Sequence, residues 1–265
     1  MIRVIGLALV LAGVPVEAAP RIVSINPCVD AILMHVADPG QIAGISHYSK
    51  DPRASSITVA QAARFRATSG TAEEVVALAP DIVIAGAHVA PSTIAALRRM
   101  NIALLQLGVS ESLAENRVQI AQIAAAAGHV GRGARLNARI DAAVAAAHTA
   151  GPAIPALIWQ GGGLVPGTET LADELLRTTG FHNLSKDYGL KRWDVLPLEH
   201  LVGRPPRVLF SVGDVSGTDR MLGHRVLRPL AGHIAVREYP ERLMHCGGPT
   251  IIEAVGLLAR VRRSL

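Results

Sequence analysis

Apolar residues along the chain follow two patterns, short continuous runs and longer stretches with helical spacing. The short runs predict buried strands at 21–25, 42–45, 81–85, 102–107, 156–159, 207–212 and 235–239. Between them, the sequence predicts a helical stretch after the first strand, through residues 34–37, and helices at 71–78, 170–179, 198–201 and 250–260. Strands that alternate with helices indicate mainly parallel sheets covered by helices on both faces, so we predict an α/β fold.

The middle of the chain, after Gly108, carries no strand pattern over about forty residues. Two helices are predicted there instead, at 113–127 and 132–148. Leu136, Ile140 and Val144 are spaced four apart and form one apolar stripe on the second of these helices, as a packed helix requires. A long Ala-rich helix between two α/β segments indicates a rigid strut between two lobes.

The two α/β segments share an internal correspondence, because residues 73–83 can be laid on residues 199–209. In each copy a Glu, Glu73 or Glu199, opens a short helix, a Pro follows seven residues later, and a buried strand comes next. Thr71 and Glu74 match a helix-capping box, which gives Glu74 a structural explanation that Glu73 lacks. Two copies of one unit predict paired lobes and not a long repeat array.

The N-terminus reads as a secretion signal. Arg3 supplies one positive charge, residues 4–14 are uncharged and apolar, and small residues precede a cleavage point after Ala18. We therefore predict export to the periplasm, with a signal peptide at 1–18. The boundaries that follow are an N-terminal lobe at 19–130, a linking helix at 131–150 and a C-terminal lobe at 151–265.

Composition argues against several classes of function. The net charge of +5 is spread along the chain and aromatic residues make up only 3%, whereas single-stranded nucleic acids are usually bound by basic grooves with stacking aromatics. The chain has no nucleophile-elbow, zinc-protease or phosphate-loop motif. We predict a monomer that binds no nucleic acid, has no cofactor or metal site of its own, and is not an enzyme.

Four segments, residues 21–27, 44–52, 73–84 and 171–184, resemble the cobalamin and ferric-siderophore binding proteins of ABC importers. The resemblance extends over nearly all of the chain after residue 18. It implies two Rossmann-like α/β lobes joined by a single long backbone helix, with the ligand in the cleft between them. It also implies that Glu73 and Glu199 dock onto a permease in the inner membrane.

The same resemblance implies aromatic ligand contacts at Tyr48 and Trp193. Three other aromatic positions of the family are replaced here, by Ala67, by the stretch Gly86-Ala87-His88 and by Leu164, which leaves less flat stacking surface for a corrin. Trp159 is a further candidate, because it ends a predicted strand and ligands of open α/β sheets bind beyond the carboxyl ends of strands.

Two cysteines and two histidines lie in turns that should face the cleft: Cys28, His47, His245 and Cys246. In an oxidising periplasm the cysteines could form a disulfide that staples the lobes together, or stay separate as buried thiols. Alternatively, all four side chains could converge as soft ligands for a metal or for the metal of a chelate. A cysteine-dependent enzyme would use Cys28 as nucleophile with His47 or His245 as base.

Three hypotheses follow for the function. The first is an importer binding protein that captures a corrinoid or a ferric-siderophore-type chelate. The second is a protein of the same fold that binds a smaller organic ligand or a free metal ion. The third, a cysteine-dependent periplasmic enzyme, has the least support.

Overall fold

The computed structural model describes residues 19–213 and 232–265, and it contains two separate parallel sheets. The predicted signal peptide therefore lies outside the described residues. The N-terminal sheet has the order β3-β2-β1-β4-β5. Its strands are β1 (Ile22–Ser24), β2 (Ile42–Ser46), β3 (Ala67–Thr68), β4 (Ile82–Ala85) and β5 (Ala103–Gln106).

Short helices cover this sheet: α1 (Pro27–Val36), α2 (Val59–Ala63), α3 (Ala72–Ala77) and α4 (Pro91–Arg99). The start of α1 is fixed by Asn26, whose side chain accepts from the N–H groups of Cys28 and Val29, and by Pro27 in the first turn. Helix α3 ends early because Ala79 takes a positive φ of 47° just before Pro80.

Two longer helices, α5 (Leu113–Ala126) and α6 (Val130–Ala147), follow the N-terminal sheet and pack against each other. Leu136 and Ile140 of the predicted apolar stripe are buried, and Val144 packs at its edge. The helices approach closely at Gly133, where a side-chain carbon would lie 2.5 Å from the Cβ of Ala124. Helix α6 also packs along α1 and along the last helix of the chain, so it joins the two halves.

The C-terminal sheet has the order β11-β10-β6-β8 and is parallel throughout. A separate antiparallel pair, β7 with β9, lies beside it. The strands are β6 (Ile154–Trp159), β7 (Leu164–Pro166), β8 (Phe181–Asn183), β9 (Trp193–Val195), β10 (Val208–Val212) and β11 (Ala235–Tyr239). The helices of this lobe are α7 (Leu171–Thr178), α8 (Leu198–Gly203) and α9 (Thr250–Arg263).

The two sheets repeat one topology. The order β2-β1-β4-β5 of the first lobe corresponds to β8-β6-β10-β11 of the second, read in the same direction. Helix α3 precedes β4 as α8 precedes β10, and α5 follows β5 as α9 follows β11. The predicted α/β fold with two Rossmann-like lobes is confirmed, whereas the exact lobe boundaries at 130 and 150 stay predictions.

One hydrophobic core runs through both lobes, because α1, α5, α6 and α9 all contribute buried residues to it. A smaller cluster lies in each lobe on the other side of the sheet.

Within the described ranges, no helix combines the length and apolar character needed to cross a membrane.

Candidate functional site

Three adjoining cavities lie beyond the carboxyl ends of the parallel strands, where α/β sheets usually bind ligands. The first, of about 400 Å³, is lined by the ends of β1, β2 and β4, with His47, Tyr48 and His88. The second, of about 300 Å³, shares Asn26, Gly86 and His88 with the first. The third, of about 100 Å³, lies against the C-terminal lobe and shares Val109, Ser110 and the segment 245–247 with the second. Together they form one groove between the lobes.

His47 and Tyr48 stand in a short 3-10 turn, His47–Lys50, directly after β2. Both are exposed, and their ring centroids lie 4.1 Å apart. The Nδ1 atom of His47 lies 3.3 Å from the carbonyl oxygen of Thr68. A carbonyl oxygen can only accept, so Nδ1 is the donor in this contact. In the neutral imidazole Nε2 then keeps a lone pair, the form that binds a metal.

His88, which the sequence analysis did not select, lies in both the first and the second cavity and is exposed. It stands three residues after β4, in the loop that begins at Gly86. A side-chain carbon at Gly86 would lie 2.1 Å from Nδ2 of Asn26, so a larger residue there would displace the side chain that caps α1. The signal in the sequence was the position of His88 just beyond a predicted strand.

The two tryptophans differ in position. Trp193, on β9, is 40% exposed and lines the third cavity together with Met244 and His245. Trp159 is only 1% exposed and packs in the smaller core cluster of the C-terminal lobe with Leu157 and Leu209. The ring of Trp159 is thus enclosed by the core at the end of β6. Its contact with a ligand in the cleft stays a prediction.

Cys28 and Cys246 form a disulfide between positions 218 residues apart, with a distance of 5.1 Å between their Cα atoms. Cys28 belongs to the first turn of α1 and Cys246 to the loop before α9, so the bond joins the two lobes at the groove. Of the alternatives that the sequence left open, the disulfide staple is the one observed. Neither sulfur is a free thiolate that could bind a metal or act as a nucleophile.

Hydrogen bonds across the cleft reinforce this staple. The Nε2 atom of His245 donates to the carbonyl oxygen of Arg53 at 2.7 Å, and the Ser56 hydroxyl donates to the carbonyl of Arg242 at 2.9 Å. His47 lies in the first cavity, whereas His245 lies in the second and third. The four-residue soft-ligand cluster is therefore not formed, and the described part of the chain contains no group of three or more His, Cys, Asp or Glu placed to hold a metal.

Glu73 and Glu199 occupy matching places, each the second residue of its short helix, α3 or α8, and both are exposed. Glu74 is used differently. Its carboxylate accepts from the Ser69 N–H at 2.6 Å and the Thr68 hydroxyl at 3.0 Å, and these hydrogen bonds hold the pKa of Glu74 below its usual value. The capping-box interpretation holds for Thr71, whose side chain accepts from the Glu74 N–H, but the Glu74 carboxylate turns to Thr68 and Ser69 instead.

Comparisons with known proteins agree with this architecture. Residues 22–237 match the family model for periplasmic binding proteins, so the chain belongs to the periplasmic binding protein family. A comparison with curated protein sequences finds no match.

Solved structures share the fold at low sequence identity. The periplasmic heme-binding protein RhuT from Roseiflexus sp. RS-1, in its apo form, has a TM-score of 0.76 at 23% identity, over 93% of this chain and 99% of that one. The periplasmic heme-binding protein BhuT, in complex with two hemes, has a TM-score of 0.73 at 20% identity, over 92% and 98%. The vitamin B12 binding protein BtuF of Vibrio cholerae has a TM-score of 0.70 at 16% identity, over 93% and 99%.

Proposed function

We propose that this protein is exported, captures a metal macrocycle of the heme type in the interlobe groove, and delivers it to an ABC importer without chemical turnover. The observation that supports the ligand class most is the grouping of His47, Tyr48 and His88 on the wall of the first cavity. Imidazole and phenol side chains are among the groups that hold heme iron.

A corrinoid is the competing ligand, supported by the structural likeness to a vitamin B12 binding protein and by the exposed rings of Tyr48 and Trp193. The groove offers little further aromatic surface, since Trp159 is buried and only 3% of the chain is aromatic. Flat stacking would therefore contribute less to affinity than donation of a lone pair to an iron centre. This balance favours the iron macrocycle.

The test is an absorption titration of residues 19–265 with hemin. We expect saturable binding with a shifted Soret band in the wild-type protein. His47→Ala, Tyr48→Phe and His88→Ala are changed one at a time, and loss of an iron ligand should weaken binding at least about ten-fold, or roughly 1.4 kcal/mol, and alter the spectrum.

His148→Ala is the matched control, because His148 is exposed at the end of α6, away from the groove residues. Identical spectra and affinities in all four variants would contradict the assignment of the groove. Saturable binding of cyanocobalamin, with no binding of hemin, would replace the heme-type ligand by the corrinoid.

Glu73 and Glu199 are proposed to dock the loaded protein onto the permease. Both side chains are exposed, so they would orient and steer the complex without touching the groove. The double variant Glu73→Ala/Glu199→Ala should keep its hemin affinity and lose permease-stimulated transport, and added salt should mimic part of the loss. Glu238→Ala, another exposed carboxylate on β11, is the control. Transport at the wild-type rate by the double variant would refute the docking role.

A further inference from the structure

The carboxyl group of Asp30 is completely buried in the first turn of α1, beneath the turn that carries His47 and Tyr48. Its Oδ2 atom accepts two hydrogen bonds, from the Ser46 N–H at 3.0 Å and from the Ser49 hydroxyl at 2.6 Å. The other oxygen, Oδ1, has no hydrogen-bond partner among the described residues. A buried carboxyl that is only half satisfied costs stability, so its position calls for a functional reason.

Both hydrogen bonds of the Asp30 carboxyl group come from the 3-10 turn that carries His47 and Tyr48 and from its capping residue. Ser46 is the residue that caps this turn, and its hydroxyl accepts from the Tyr48 N–H at 3.3 Å. Ser49 follows Tyr48 and is itself buried, at 2% exposure. His47 and Tyr48 thus project into the cavity between two serines that are both tied to one buried oxygen.

We propose that Asp30 is a positioning residue for ligand capture, which fixes the rings of His47 and Tyr48 in the groove through Ser46 and Ser49. This inference rests on the proposed function for its ligand. Asp30 acts as a hydrogen-bond acceptor here and not as a charge. In Asp30→Asn the amide oxygen can accept the same two hydrogen bonds, and the NH₂ group takes the place of the unpartnered Oδ1.

The acid strength of Asp30 is consistent with an uncharged role. Burial raises the pKa of Asp30 to about 7, although the hydrogen bonds from the Ser49 hydroxyl and the Ser46 N–H, and the nearby Ser24, act in the opposite direction. A substantial fraction of the carboxyl group is then protonated near neutral pH, and in that form it still offers an acceptor oxygen to the turn.

The experiment compares Asp30→Asn, Asp30→Ala, Ser49→Ala and Ser55→Ala with the wild-type protein. Ser55 is the matched control, because it is as buried as Ser49 but bonds within its own loop, to the carbonyl of Ile57. Hydrogen exchange of the amides at 46–50 reports the anchoring of the turn without any ligand. Titration with hemin, together with its Soret spectrum, reports the placement of the two rings.

We expect Asp30→Ala to raise exchange at 46–50 by at least about ten-fold and to weaken hemin binding by a similar factor. Ser49→Ala removes one hydroxyl and serves as the second variant if Asp30→Ala does not fold. It should change both the exchange rates at 46–50 and the hemin affinity about five-fold. Asp30→Asn and Ser55→Ala should match the wild-type protein. The inference is overturned if Ser49→Ala exchanges or binds like wild type, or if Asp30→Asn loses as much as Asp30→Ala.

Failure of the proposed function has a different signature. A wild-type protein that does not bind hemin argues against the ligand, while the exchange rates at 46–50 still decide whether Asp30 anchors the turn.

Discussion

His47 and His245 use opposite ring nitrogens for their contacts with backbone carbonyls. His47 donates through Nδ1 to Thr68, while His245 donates through Nε2 to Arg53 in the other lobe. The Nε2 lone pair of His47 therefore remains for a ligand, whereas the same atom of His245 helps to close the cleft. The two residues looked equivalent in the sequence, and only their neighbours in space separate their roles.

Asp30 gives the stability of the protein a defined pH dependence. Its pKa is raised from 3.8 to about 7 by burial, so the folded state keeps a proton that the unfolded state has already lost. The resulting contribution to stability is fully present below pH 4 and is lost as the pH rises through 7, a change of roughly 4 kcal/mol. Urea unfolding at several pH values should therefore show a steeper loss of stability from pH 4 to 8 for wild type than for Asp30→Asn. Parallel curves for the two proteins would contradict the raised pKa.

At this scale the sequence predicted which turns meet at the groove, but not how individual side chains point. Cys28 and Cys246 were placed at the cleft, yet their pairing depends on a distance between the lobes. Trp159 ends a strand that is buried on both faces, so no alternation in the sequence indicates which way its ring turns. His88 was passed over because a single histidine after a strand has many structural explanations.

At the scale of elements, the packing of α5 against α6 depends on one glycine. A Cβ at Gly133 would lie 2.5 Å from the Cβ of Ala124, and neither carbon can move without a shift of its helix. Gly131, on the same helix, is exposed and its Cβ would meet only the flexible end of Arg135, at 3.6 Å.

Alanine substitutions at these two glycines should therefore act in opposite directions. Gly133→Ala should lower the free energy of unfolding by about 1–3 kcal/mol despite the better helix propensity of alanine. Gly131→Ala should be neutral or stabilising by up to about 1 kcal/mol. Chemical denaturation of both variants measures the difference, and equal stabilities would contradict the close contact of the helices.

The sequence predicted strands and helices with a clear apolar pattern better than very short elements. All seven predicted strands and both central helices are present, with ends that agree to within two residues. It missed α2, α4 and the short strands β3 and β8, and it missed the pair of β7 and β9, whose strands are three residues each and lie far apart in the chain. Such a pair is stabilised by contacts that a local pattern does not contain. Helix α4 buries only Thr93 and Leu97, which is too few for a recognisable apolar stripe.

At the scale of the whole molecule, the disulfide closes a loop that includes most of the chain. Cys28 and Cys246 are 218 residues apart in the sequence, and the hydrogen bonds from His245 and Ser56 lie on the same side of the cleft. The lobes are thus fastened together beside the groove, whereas neither cysteine lines the first cavity, where Tyr48 is 54% exposed. We expect a preformed groove that changes little when a ligand binds.

Removal of the disulfide should destabilise the protein strongly. For a loop of this length, the lost chain entropy of the unfolded state corresponds to at most about 5 kcal/mol in the free energy of unfolding. Cys28→Ala/Cys246→Ala should lower the unfolding midpoint and widen the distance between spin labels placed on the two lobes. Wild-type protein treated with a reductant should behave like the double variant, whereas a reductant should not affect the variant itself. An unchanged midpoint in both would show that the staple does not hold the lobes.

We propose that the groove selects a metal macrocycle through its side-chain donors. The most direct measurement is calorimetric titration of residues 19–265 with hemin, with cyanocobalamin and with Zn²⁺ in turn, followed by competition between them. We expect saturable binding of hemin that neither competitor displaces at equal concentration. Tight stoichiometric binding of Zn²⁺ or of cyanocobalamin, with no saturable binding of hemin, would contradict it.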